Sequence, residues 1–230
     1  MDGHLYLALT METAAHLARL FSEMRAWVSA AGFDWEVEWQ RTRSLESIEE
    51  PDFLREAAWV ILCSGFRASV VRERFDHISL CFCDWESADA IWERRELCVS
   101  TASVVFRHEP KVRAVAAVAG FVARLGFSTV LERLRSEPLS TLRELPYIGP
   151  VTSMHLAKNL GFPFPKADRH LVRLARHLRC ESAVELCDIV ATATGESVPV
   201  VDVVLWRFME QRGPLEAITS RALVGRGPEH

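Results

Sequence analysis

Residues 142–175, LRELPYIGPVTSMHLAKNLGFPFPKADRHLVRLA, decide how the chain is read. A short helix over 139–145 runs into the turn Pro146-Tyr147-Ile148-Gly149, and a second helix starts at Pro150. Proline suits a first helical turn because the N–H it lacks would have no partner there. Such a turn exposes successive backbone N–H groups at a helix N-terminus, where the dipole favours an anion such as a phosphate. Gly161, Pro163 and Pro165 then stiffen a loop that delivers Asp168 to the start of another helix. The plainest role for an aspartate at that place is an N-cap.

Outward from this segment the apolar pattern is helical nearly throughout. Leu17, Leu20, Phe21, Met24, Trp27 and Val28 recur at three- and four-residue spacings, one face of a long helix over 11–31 that Gly32 ends. Residues 35–40 (WEVEWQ) alternate and fit either a short strand or a helix edge. Helices are expected at 51–66, 70–75, 87–96, 110–125, 128–135, 139–145, 151–160, 169–177, 183–193 and 199–211, separated by Gly and Pro breakers. The fold class is all-α, with ten or so helices. The tail over 214–230 is weakly patterned and is expected to fray.

Composition narrows the class. Of 230 residues 49% are hydrophobic, and only 11 are Gly and 10 Pro, which excludes a disordered or collagen-like chain. Uncharged, mostly apolar runs such as 57–66 and 114–123 are about half of what a bilayer crossing requires. The start MDGHLYLALTMETAAH lacks a basic region and a cleavage site. A soluble, cytoplasmic protein without membrane contact is expected. Six cysteines, with no CxxC pair, suggest neither a disulfide scaffold nor a metal site. The net charge is −4, yet residues 107–179 hold 13 basic against five acidic side chains, a local +8. That stretch could meet a polyanion or simply present solvated arginine-rich faces.

The central segment resembles the helix-hairpin-helix superfamily of DNA glycosylases, nearest to the members that act on 8-oxoguanine. Leu145-Pro146-x-Ile148-Gly149 is similar to the family's hairpin pattern, and Asp168, with His170 beyond it, to the catalytic aspartate that opens a helix after a Gly/Pro-rich loop. Residues 59–64, 106–118 and 201–206 resemble further helices of that fold, so the likeness spans roughly 51–210. It implies a two-lobed all-α fold with a central cleft. One lobe would run over 45–170 and end in the hairpin (139–161) and catalytic loop; the other would combine 1–44 with 171–213.

The resemblance implies a DNA glycosylase that hydrolyses the N-glycosidic bond of a damaged or modified base flipped from duplex DNA. Asp168 would be catalytic: a carboxylate beside the sugar stabilises oxocarbenium charge and activates water. Leu145, Pro146, Ile148, Gly149, Val151 and Thr152 would hold a phosphate through backbone groups, with Lys166, Arg169 and His170 as further DNA contacts. Asp202 and Trp206, four residues apart and so on one helix face, would line the base pocket, with Ser64 and Arg67 near the extruded nucleotide. Three departures matter. Val151 stands where bifunctional members carry a nucleophilic lysine, so the expected enzyme is monofunctional, without lyase chemistry; Lys158, two turns into its helix, would face solvent or phosphate. Tyr147 stands where the family has glycine, uncomfortable if the position needs a positive φ. Cys180 and Cys187 reproduce only one spacing of a four-cysteine cluster, so no iron–sulfur cluster, metal or other cofactor is expected. A monomer is expected, acting in base excision repair or against modified phage DNA. The rival reading is a non-enzymatic hairpin protein that only binds DNA; a helical scaffold with an anion-binding turn is a third.

Overall fold

The computed structural model describes residues 3–212, with side chains described from Glu12 onward. The expected tail over 214–230 lies outside the described residues. Among them there are thirteen α-helices and no strand, and no single helix is long and apolar enough to cross a membrane.

The chain divides into two units, one with the described residues up to Thr42 and from Pro163 on, the other Arg43–Phe162. The expected boundaries were 44/45 and 170/171. The later one falls eight residues earlier, so the loop carrying Asp168 belongs to the first unit and not to the hairpin's.

In the first unit, α1 (Gly3–Ala30), α2 (Asp34–Arg41), α11 (Arg169–His177) and α12 (Ala183–Thr194) gather around α13 (Val198–Arg212). Leu17, Leu20, Phe21, Met24 and Val28 of α1 form the predicted stripe and are buried against Val200, Val201, Val204 and Leu205 of α13. Burying one such side chain contributes about 2 kcal/mol. Residues 35–40 belong to helix α2, which settles the strand-or-helix alternative. A strand would have buried the two tryptophans with Val37, but Trp35 is 57% exposed, and Glu36, Val37 and Gln40 face inward instead. Glu36 can do so because it meets the Arg207 guanidinium in a two-pronged ion pair, Nε to Oε2 at 2.8 Å, with the second prong from Nη2 to Oε1. Phe33 lies against that guanidinium at 4.4 Å.

In the second unit, α7 (Glu109–Leu125) packs against α3 (Glu50–Cys63), α5 (Ala88–Glu93), α6 (Arg95–Val105) and α8 (Phe127–Ser136); α4 (Ala68–Cys81) lies on α3 and α6. The small side chains of α7 allow this crowding. A Cβ added at Gly120 would sit 2.5 Å from the Trp92 ring of α5. The α6 helix was not expected, and α4 extends six residues past the predicted end. In α6 only Cys98, Val99 and Ala102 are buried while Leu97 and Val104 are exposed, so the apolar stripe is too thin to read from periodicity. The short α9 (Pro138–Arg143) and α10 (Pro150–Asn159) complete the unit and form the hairpin. At its far end α10 is tied in by Asn159, which donates to Glu56 at 2.9 Å; Arg43 donates to the same carboxylate at 3.2 Å. Burial nevertheless pushes the Glu56 carboxyl above the usual glutamate range. Gly161 follows with φ +91°, and a Cβ there would lie 2.8 Å from Ser44 Cα, so both conformation and space demand glycine.

Candidate nucleic-acid interface and catalytic aspartate

The hairpin is built on two buried apolar side chains and one closed turn. Leu145 and Ile148 are core residues, and the Ile148 N–H donates to Leu145 O at 3.2 Å. Pro146 supplies the fixed φ suited to the second turn position, and the third, Tyr147, has φ +63°. A left-handed conformation costs a non-glycine residue about 1 kcal/mol, so the discomfort read from the sequence is real and is borne by tyrosine. Gly149 donates its N–H to Thr152 Oγ1 at 2.6 Å, and Arg143 Nε reaches Ser153 Oγ at 3.2 Å, bracing α9 to α10. In the first turn of α10, after Pro150, the N–H groups of Val151 and Thr152 have no helical carbonyl to reach and lie at the positive end of the dipole. The chemistry available at this turn is that of the backbone N–H groups.

Beneath the turn lies Lys111, a buried cation. Its ammonium donates to the carbonyls of Ile61, Leu62 and Ser64 at the end of α3 and sits 5.4 Å from the Phe66 ring and 5.7 Å from that of Tyr147. Burial lowers its pKa. Ser64 is thus drawn to the hairpin side through its carbonyl, while Arg67, at the N-cap of α4, is exposed.

The aspartate site lies in the other unit. Residues 163–168 cross the start of α11 in a tight path: Asp168 N–H donates to Lys166 O at 2.5 Å, and Lys166 N–H to Asp202 Oδ2 at 2.7 Å. Asp168 caps α11, with Oδ1 accepting from His170 N–H at 2.8 Å and Leu171 N–H at 3.3 Å. Its second oxygen does different work. Oδ2 accepts from the Trp206 indole N–H at 3.1 Å and faces the Lys166 ammonium at 3.7 Å. The cap therefore uses one oxygen and leaves the other held at a half-buried surface; the Asp168 side chain is 15% exposed. His170 has a buried Nδ1 without a hydrogen-bond partner, and Arg169, Arg173 and Arg176 lie exposed along α11 at helical spacing.

Two sequence readings change here. Asp202 and Trp206 do face one way, but toward the 163–168 loop. Asp202 has 0% exposure and anchors Lys166 N–H, so it braces the loop and offers no surface to a base. Trp206 orients Asp168 and has Lys166 and Arg207 near its ring, at 5.5 and 4.8 Å. Lys158 is 7% exposed and so does not face solvent, although its place two turns into the helix suggested that it would. Sequence reasoning missed Lys111 and the Asp168–Trp206 bond. A lone lysine opening an Ala/Val-rich helix was the one signal for the first; the second, across 38 residues, had none beyond the shared face of Asp202 and Trp206. None of the six cysteines is in a disulfide, and no cluster suited to a metal occurs among the described residues. Cys98, with the Cys83 thiol beside it, is pushed up to about 11, chiefly by burial. The chain matches no protein-family model, no curated protein and no solved structure.

Proposed function

We propose that the protein is a DNA glycosylase of the helix-hairpin-helix kind, hydrolysing the N-glycosidic bond of an altered base extruded from duplex DNA. The observation that carries this reading is the division of labour at Asp168: Oδ1 fixes the side chain to the N-terminus of α11, while Oδ2 is aimed by the Trp206 indole. Such a carboxylate can accept a proton from water as that water adds to the sugar C1′, and its charge opposes the oxocarbenium charge that develops as the base departs with the bond electrons. Lys166 presents a cation beside it, suited to a neighbouring phosphodiester. The hairpin N–H groups of Val151 and Thr152 would hold another phosphate, and the arginines of α11 would add sequence-independent attraction. With Val151 in place of a hairpin lysine, water is the nucleophile and an abasic site the product. Repair of damaged bases and removal of modified bases from foreign DNA call for the same chemistry.

One observation favours the rival, a hairpin protein that binds DNA without cutting it: capping α11 alone would justify an aspartate at position 168. Duplexes carrying single altered bases, from 8-oxoguanine to alkylated purines, uracil and glucosylated hydroxymethylcytosine, separate the two when scored for released base and alkali-sensitive sites. Asp168→Asn keeps the cap, because asparagine also caps helices, and should lower release at least a hundredfold with DNA affinity and Tm nearly unchanged. Duplex binding without release from any substrate would favour the rival.

A further inference from the structure

Tyr147 and Phe66 are exposed aromatic rings, at 46% and 40%, in the unit that carries the hairpin. Neither is a loosely held surface residue. The His108 ring meets both edge-on, at 5.7 Å from Phe66 and 6.5 Å from Tyr147, and the Lys111 ammonium serves both as a cation partner. Lys111 is fixed in turn by the carbonyls of Ile61, Leu62 and Ser64, and Phe66 leans on buried Phe106 at 5.0 Å. The two rings are thus held before any partner arrives, which lowers the entropic cost of stacking something flat on them. Tyr147 holds its place at positive φ, where glycine would close the turn without strain. The turn itself therefore gives no reason for tyrosine.

The chemistry selects a partner. An aromatic face set in the turn that leads to the first-turn N–H groups of Val151 and Thr152 suits a ligand with a planar ring and a phosphate linked to it. Arg107, next to His108, and Arg143, four residues before Tyr147, are exposed cations, while the acids beside them, Glu109 and Glu144, pair with Arg113 and Arg133. We propose that Tyr147, with Phe66 beside it, is a stacking surface for a nucleobase freed from the duplex stack, on the strand whose phosphate the hairpin holds. This inference rests on the DNA reading above and concerns a contact separate from Asp168.

The test measures dissociation constants at one fixed salt concentration for a fully paired duplex and for the same duplex with one unpaired adenine. The wild-type protein should prefer the bulged duplex. Tyr147→Gly should bind the bulged duplex about tenfold more weakly, change little on the paired one, and melt no lower than wild type because the turn is relieved of strain. Tyr147→Phe, which keeps the ring, should match wild type on both. Equal binding of the bulged duplex by Tyr147→Gly, or an equal loss on both duplexes, would overturn the stacking surface. Either result alongside Asp168-dependent base release leaves the glycosylase reading standing. A wild-type protein that binds neither duplex would overturn both.

Discussion

The hairpin and the aspartate loop use the backbone in opposite ways. In the hairpin the side chains of Leu145 and Ile148 are spent on the core, and what remains to act is the peptide N–H. In the loop the N–H groups of Lys166, Asp168, His170 and Leu171 are all engaged, and what remains is a carboxylate oxygen. A site made of backbone tolerates any side chain that keeps the packing and the turn. A site made of one side chain depends on every group that aims it. The first should therefore fail through packing and the second through single hydrogen bonds.

Asp202 offers the largest way to break that contrast. Asp202→Ala removes the buried acceptor of the Lys166 N–H, so denaturant unfolding should show a loss of about 2 kcal/mol. On the proposed glycosylase reading, base release should fall with it, while Asp202→Asn, which still accepts, should lose less of both. If Asp202→Ala proved as stable and active as wild type, the loop would not depend on its brace. Trp206→Phe is gentler: it deletes the indole N–H that orients Asp168 and keeps most of the ring. Turnover should drop about tenfold at nearly constant Tm and DNA affinity; a loss of affinity instead would place Trp206 on the DNA and not behind the aspartate.

The smallest effect belongs to the hairpin side. Glu56, which anchors the end of α10, keeps its proton to higher pH than it would in the unfolded chain. The folded state then binds more protons just above the usual glutamate range, so stability falls as pH rises through that window. Glu56→Gln should flatten this fall in urea titrations run from pH 4 to 7. An unchanged slope would mean that the Arg43 and Asn159 contacts cancel the cost of burial.

Much of this was legible from residue order. The α1 stripe, the hairpin and the start of α11 follow from spacing, from proline at a first helical turn and from a capping aspartate, all of them local. Lost were features that depend on distant partners. In the helical WEVEWQ segment Glu36 can face inward because it finds Arg207, 171 residues on, and nothing near Glu36 announces that pairing. Asp202 shares a helix face with Trp206, and this was legible, but nothing near it in the run VPVVDVVLW says that its donor is a loop amide 36 residues away. Where the sequence suggested a pocket wall, Asp202 bonds the loop amide of Lys166 and Trp206 bonds Asp168.

Gly161 leaves a consequence for the architecture as a piece of heredity. The chain enters the second unit at Arg43 and leaves it at Phe162, and the two passages touch where Gly161 meets Ser44. A unit whose first and last residues are neighbours is, in topological terms, an insertion into the helices that flank it. A gene can gain, lose or exchange such a segment as one cassette without stretching its host, provided the residue at the doorway carries no side chain.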